Sequence, residues 1–189
     1  MNPLKILTAL ILVIMISACE SNDLDTNFNS TNLSKDDTSK VDDGCETAFV
    51  YCGPVSECFL DLDMGFNRWG WTNGPMLPET GHWFYIYAGA GQCDADKGTM
   101  VGKLTIKYFG STATITYNMD AGYTLNEVQL YVGNDMIPSK KNGKYTVAPG
   151  QYPYKDDNLN GATTYTFTVD GLSGEIYFIA HAVVCGFTE

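Results

Sequence analysis

Arginine is almost missing from this chain. Arg68 is the only one, and the 11 basic side chains face 22 carboxylates, for a formal net charge of −11. That balance provides no basic stripe to displace counterions from a phosphate backbone, which excludes nucleic acid as the expected partner. It equally excludes docking on anionic headgroups by charge alone. Histidine is nearly as scarce: His82 and His181 stand apart and belong to no metal-ligand spacing. There is no Cys-x-x-Cys pair, no Gly-x-Ser-x-Gly elbow and no phosphate-binding loop, so zinc, dithiol and nucleophilic-serine chemistry lack their sequence signatures. No apolar run reaches the roughly 20 residues a membrane-spanning helix needs, and no internal repeat is visible.

What is present begins with Lys5 and the eleven residues Ile6 to Ile16, apolar except for Thr8. A charged start and a short apolar run make a signal peptide rather than a bilayer span. Ser17 and Ala18 then place Cys19 where cleavage belongs. The pattern resembles a bacterial lipobox, in which the cysteine thiol takes a diacylglycerol and the chain is cut before it. The alternative is an ordinary secretory signal with Cys19 incidental. Under the lipobox reading residues 1–18 are removed, and because they carry only Lys5 the net charge passes from −11 to −12. Anchoring by two or more acyl chains, palmitate among them, is effectively stable where one chain is marginal. The partner expected through Cys19 is therefore the membrane.

Residues 19–44 read as the lipidated N-terminus and an acidic tether. From Glu20 to Gly44 there are seven carboxylates against Lys35 and Lys40, with Ser, Thr and Asn between them. Low hydropathy with high charge predicts disorder, and a chain of this length reaches about 25–30 Å. Acidic tracts behind a lipidated cysteine resemble surface-export signals of Bacteroidota lipoproteins. Here the acids are scattered, so periplasmic orientation stays open beside surface display on the outer membrane, which is favoured.

Residues 45–189 form one compositional unit, long enough for an independent core. It reads as an all-β, antiparallel sandwich, Ig-like or jelly-roll-like, stabilised by disulfides. The clearest element is the hairpin Leu104–Phe109, Gly110-Ser111, Thr112–Tyr117. A type II′ turn at Gly-Ser puts Leu104 opposite Tyr117, Ile106 opposite Ile115 and Tyr108 opposite Ala113, with Thr105, Lys107, Thr114 and Thr116 on the other face. Further strands are expected at Thr47–Tyr51, His82–Ala88, Glu127–Val132, Thr164–Val169 and Ile176–Val184, the last apolar on both faces as a central strand would be. Asn73-Gly74-Pro75, Asn142-Gly143, Ala148-Pro149-Gly150 and Asp170-Gly171 read as turns. Ser56 to Pro78 and Tyr131 to Tyr154 read as long loops.

Five cysteines fall in this unit, and outside the cytoplasm they are disulfide candidates. Cys93–Cys185 is the first expectation, since both lie just past strand ends. Cys45–Cys58 is the second, with Cys52 as the odd thiol and a Cys52–Cys58 loop as the main competitor.

The candidate binding residues are Arg68, Trp69 and Trp71, within Asn67-Arg68-Trp69-Gly70-Trp71-Thr72-Asn73-Gly74. A guanidinium offers a flat fork for a carboxylate and stacks on aromatic faces. Two indoles one residue apart share a strand face and suit stacking on sugar rings. The competing and favoured reading makes them plugs for one end of the core. Asp61 and Asp63, Asp94, Asp96 and Gly98, and Asp156 with Asp157 resemble fragments of calcium loops, but none completes the ligand pattern. Solvated loop charge is the better reading, and no cofactor is implied. His181 sits inside the strongest strand, where a satisfied core histidine is expected rather than a base.

Together, Cys45-Glu-Thr-Ala-Phe49, Phe66 to Gly74, Ala88-Gly-Ala-Gly-Gln-Cys93 and Val147-Ala-Pro-Gly-Gln-Tyr-Pro153 resemble an uncharacterised extracellular β-domain of secreted and lipid-anchored Bacteroidota proteins, Flavobacteriia especially. The resemblance implies the compartment and a sheet-rich fold, and no activity. Cys52 departs from its pattern. The functional expectation is a non-catalytic binding or adhesion module of the cell envelope, with a glycan or an envelope protein as ligand. A structural or assembly component and a small surface glycoside hydrolase are the alternatives.

Overall fold

The computed structural model describes residues Gly44–Phe187. The signal peptide, Cys19 and the acidic stretch before Gly44 lie outside the described residues. Ten strands follow in chain order: β1 Cys45–Tyr51, β2 Ser56–Cys58, β3 Trp71–Met76, β4 Thr80–Ala88, β5 Thr99–Phe109, β6 Thr112–Met119, β7 Thr124–Gly133, β8 Tyr154–Asp156, β9 Thr164–Val169 and β10 Ile176–Cys185. Every pairing is antiparallel. No helix among the described residues is long and apolar enough to cross a membrane.

The strands form a single sheet that runs β9-β6-β5-β4-β1-β10. β7 pairs along nearly the whole of β10, so β1 and β3 share the opposite edge of β10, one at each end. The sheet then curls. Just before β9, the Ala162 carbonyl accepts the Leu125 amide of β7 at 2.7 Å, and Tyr117 Oη of β6 donates across the interior to the Gln129 carbonyl of β7 at 3.3 Å. The two layers of the expected sandwich are thus two ends of one curled sheet.

Period-two alternation explains the interior. Leu104, Ile106 and Tyr108 of β5 and Ala113, Ile115 and Tyr117 of β6 are fully buried, in the register the sequence predicts. Gly110 has φ +59°, and Ser111 is not among the positive-φ residues, as a II′ turn requires. β10 is buried on both faces along most of its length, as its unbroken apolar character predicts.

Three expectations are corrected. The Ser56–Pro78 stretch is not a loop throughout, because it contains β2 and β3. Asn73-Gly74-Pro75 is a bulge inside β3: Asn73 pairs with Phe178 and Met76 with Ile176, leaving Gly74 and Pro75 opposite Tyr177 alone. Glycine is required there, since at φ +132° a Cβ on Gly74 would meet the Ile176 carbonyl at 2.9 Å. The disulfides are also rearranged. They are Cys45–Cys185 and Cys58–Cys93, neither being a pair the sequence favours. Cys45 and Cys185 are direct register partners on β1 and β10. Cys93 is carried past the end of β4 into a loop that meets Cys58. Cys52 is buried and belongs to neither bridge.

Candidate functional site

The outward face of this sheet divides into a covered part and an open part. Over β1, β7 and β10 it is covered. Phe49, Tyr131 and Ile179 point outward there, and the loops carrying Phe59, Ile137, Val147 and Tyr152 close over them in a second apolar cluster. The Cys58–Cys93 bridge ties two of these covering loops together.

Trp69 and Trp71 belong to this covered part. Trp71 is 2% exposed, with its ring 4.7 Å from Tyr51 and 5.8 Å from Trp69. Trp69 is half-buried and stands edge-on to Phe49 at 5.1 Å. Gly70 lets them approach: at φ +139°, a Cβ there would lie 2.5 Å from the Phe59 ring and 2.9 Å from that of Phe49. The two indoles are brought together, but as packing, and Trp71 has no ring face left for a ligand. Arg68 is exposed and makes no ion pair among the described residues.

A polar chain runs from the buried His181 and Gln129 out to the exposed Asp157. His181 Nδ1 donates to Gln129 Oε1, and Gln129 Nε2 donates to Glu127 Oε2 and to Asp157 Oδ1, both at 3.1 Å. The two carboxylates orient the amide, and the amide oxygen selects the Nδ1–H tautomer. Burial, aided by the Arg68 charge, lowers the His181 pKa from 6.5 to about 3, so the ring is held neutral within the core at ordinary pH. Burial also raises the Tyr152 hydroxyl, partly opposed by Arg68; Tyr152 Oη donates to the Val147 carbonyl at 3.0 Å.

The acidic clusters hold turns. Asp94 Oδ1 accepts the Asp96 amide, and Asp94 pairs with Lys97 at 2.9 Å; this lysine holds the Asp94 carboxyl below its usual range. Asp156 Oδ1 accepts the Asn158 amide. Among the described residues no three His, Cys, Asp or Glu side chains gather as a metal site.

The open part of the face spans β4, β5, β6 and β9. Its outward positions on β4 are Gly81, Trp83, Tyr85 and Tyr87. Trp83 is 45% exposed, and its ring stands edge-on to Tyr85 at 5.1 Å. From Tyr85 the rings continue through Tyr87 and Tyr51 to the covered Trp71. One aromatic strip therefore emerges from under the loops and ends in solvent at Trp83. Lys103 of β5 extends its Nζ over the strip, 4.9 Å from the Trp83 ring centre and 5.6 Å from that of Tyr85. Beyond it, Thr105, Lys107 and Phe109 alternate along β5, and β6 and β9 present only threonines and Asn118, with Thr116 and Thr166 hydroxyls 2.9 Å apart.

No outward position of these four strands holds a carboxylate. The acids nearest in sequence sit at strand ends: Glu79 accepts the Gly110 amide at 2.8 Å, Asp170 accepts the Thr112 hydroxyl at 2.6 Å, and Asp120 follows β6 with its side chain exposed. A shallow groove crosses the face, lined by Gly81, His82, Trp83, Lys103, Thr105, Lys107, Phe109 and Asn118. The sequence marks His82–Ala88 as aromatic-rich, yet it does not separate this face from the core. Trp83, Tyr85 and Tyr87 alternate with Phe84, Ile86 and Ala88, and both sets are apolar enough to be interior.

No protein-family model matches the chain, and comparison with curated proteins and with solved structures finds no significant match to either.

Proposed function

We propose that this chain is a lipid-anchored binding protein of the bacterial outer membrane, held through Cys19 and displayed at the surface, and that its β-domain binds carbohydrate on the open sheet face. The observation that carries the reading is the aromatic strip ending at Trp83, 45% exposed beside a groove of hydroxyl, amide and ammonium groups. Rigid aromatic rings offer apolar area at little entropic cost and suit the C–H face of a pyranose. Surrounding threonines and Asn118 supply donors and acceptors for hydroxyls. Binding is the better reading of the groove than hydrolysis, because most glycoside hydrolases place two carboxyl groups about the scissile bond and this lining carries none.

A glycan array with the wild type, Trp83→Ala and Trp71→Ala tests this. Binding lost in Trp83→Ala at unchanged melting temperature supports the open face as the site. Absence of any glycan signal from a folded wild type would return the protein to a structural or assembly role in the envelope. For the anchor, labelled palmitate incorporation should disappear in Cys19→Ser; label that survives the change removes the lipobox reading.

A further inference from the structure

We infer that the groove beside Gly81 takes an anionic polysaccharide, one carrying uronate carboxylates or sulfate esters, rather than a neutral glycan. The inference rests on the carbohydrate reading of the open face and deepens it.

Charge is the first argument. In a chain of net charge −11, the four open strands turn two lysines and no carboxylate outward. Neither lysine has an ion-pair partner among the described residues. Lys140, Lys141 and Lys144 are likewise without an ion pair among the described residues, whereas Lys97 and Lys155 are paired with aspartates. What sets the open strands apart is therefore the lack of any carboxylate on them. Protein carboxylates make good bidentate acceptors for sugar hydroxyls, and a face selected for neutral sugar has no reason to exclude them. A face that receives carboxylate or sulfate does, because every acid would repel the ligand.

Shape is the second argument. Gly81 sits directly opposite Lys107 in the β4–β5 register, and Trp83 opposite Thr105. A Cβ at Gly81 would meet Lys107 Cγ at 3.6 Å and the Ile106 carbonyl at 3.7 Å, which is ordinary contact, and its φ is not in the left-handed region. The fold therefore does not require glycine there, and a strand interior is weakened by it. The effect of glycine is a notch with Trp83 on one side, Phe109 beyond it and the Lys107 stem along its floor. Lys103 and Lys107 lie four residues apart on β5, about 13 Å between Cα atoms, so a polymer laid along the strand against the exposed part of Trp83 would meet one ammonium beside the indole and the second farther along the chain. Ammonium groups act as point charges that accept carboxylate or sulfate without demanding one geometry.

The test uses the detergent-solubilised full chain with polygalacturonate, dextran sulfate and neutral dextran, titrated at low and high salt. The expected result is binding of at least one polyanion, weakened more than tenfold by raising salt from 0.05 to 0.5 M as screening shortens to a few ångströms, roughly 4–14 Å across that range. Lys103→Met and Lys107→Met should each lose roughly tenfold in affinity, the scale of one charge-assisted contact. Gly81→Val should abolish binding while keeping or raising the melting temperature. Preference between polygalacturonate and dextran sulfate identifies the acidic group, and either supports the inference. Salt-insensitive binding of dextran, equal to that of the polyanions and unaffected by the lysine changes, overturns the charge inference and leaves the carbohydrate reading standing. Absence of binding to all three probes and to the glycan array overturns both. A single-stranded oligonucleotide bound more tightly than either polyanion would also overturn it, by making phosphate and base stacking the true ligand chemistry.

Discussion

The covered and open parts of the outward face belong to one sheet and are joined by one strip of aromatic rings, yet they serve opposite ends. Under the loops, Trp71 is 2% exposed and is a piece of core; at the other end of the strip Trp83 is 45% exposed and is a surface. The difference does not lie in the strands that carry them. It lies in whether a loop long enough to cover them is present and held down. Beside β1 and β10 the connections from Cys52 to Gly70, from Gly89 to Gly98 and from Asn134 to Pro153 fold back over the sheet, and the Cys58–Cys93 bridge pins two of them. The connections of residues 110–111, 120–123, 157–163 and 170–175, which flank β6 and β9, run two to seven residues, and none of them contributes to the covering cluster. Outward residues follow suit: Phe49, Tyr131 and Ile179 on one side, threonine, lysine and asparagine on the other.

The sharpest way to break this comparison is to truncate one indole from each side. Trp71→Ala should cost about 3–5 kcal/mol, as large aromatic deletions in packed cores do, read as a lower denaturation midpoint. Removing the pin is next. Cys58→Ser should cost about 2–5 kcal/mol and expose the covered cluster to a hydrophobic dye while leaving strand circular dichroism largely intact. If the dye does not bind, the loops hold without the bridge and the cover is built by apolar contact alone.

Acid should loosen the covered side before the open side. His181 is held neutral in the fold with a pKa near 3, whereas in the unfolded chain it takes a proton near 6.5. The unfolded state thus binds more protons below pH 6.5, and stability falls as pH drops toward 3. From pH 6.5 to 4.5, above most carboxylate titration, the loss should be on the order of 2 kcal/mol. His181→Asn, which keeps a donor for Gln129 Oε1, should flatten that slope. A slope unchanged by the substitution would assign the acid sensitivity to other groups. The smallest effect belongs to the open side: Trp83→Ala should change stability by no more than about 0.5 kcal/mol. A larger loss would mean that Trp83 is also structural, which would erase the distinction between the two parts.

The hairpin of β5 and β6 was legible because it lies between water and core, so each residue's polarity states its side, and Gly110-Ser111 fixes the register locally. β10 was legible for the opposite reason, being apolar on both sides. β3 was hidden, because a Gly-Pro bulge has the same composition as a turn and only the partner strand distinguishes them. The binding candidates show the same limit. Arg68, Trp69 and Trp71 stand out in the sequence as an unusual cluster, and the structure commits Trp71 to packing. Trp83 looked like any other aromatic of an aromatic strand, and nothing local placed Lys103 across it or left Lys107 facing a glycine.

Sequence by itself determined the class of fold and the alternation of each strand, because backbone pleat and burial act residue by residue along the chain. It also supplied, in Ile6 to Cys19, the features that suggest an exported and anchored protein. Tertiary structure alone decided which cysteines meet, which loops cover the sheet and which outward residues form a groove. Cys45 faces Cys185 across a sequence separation of 140 residues, and such lateral pairing leaves no periodic trace in the chain. The side of a strand is a local property, whereas the neighbour on that side is set by the register of a distant strand.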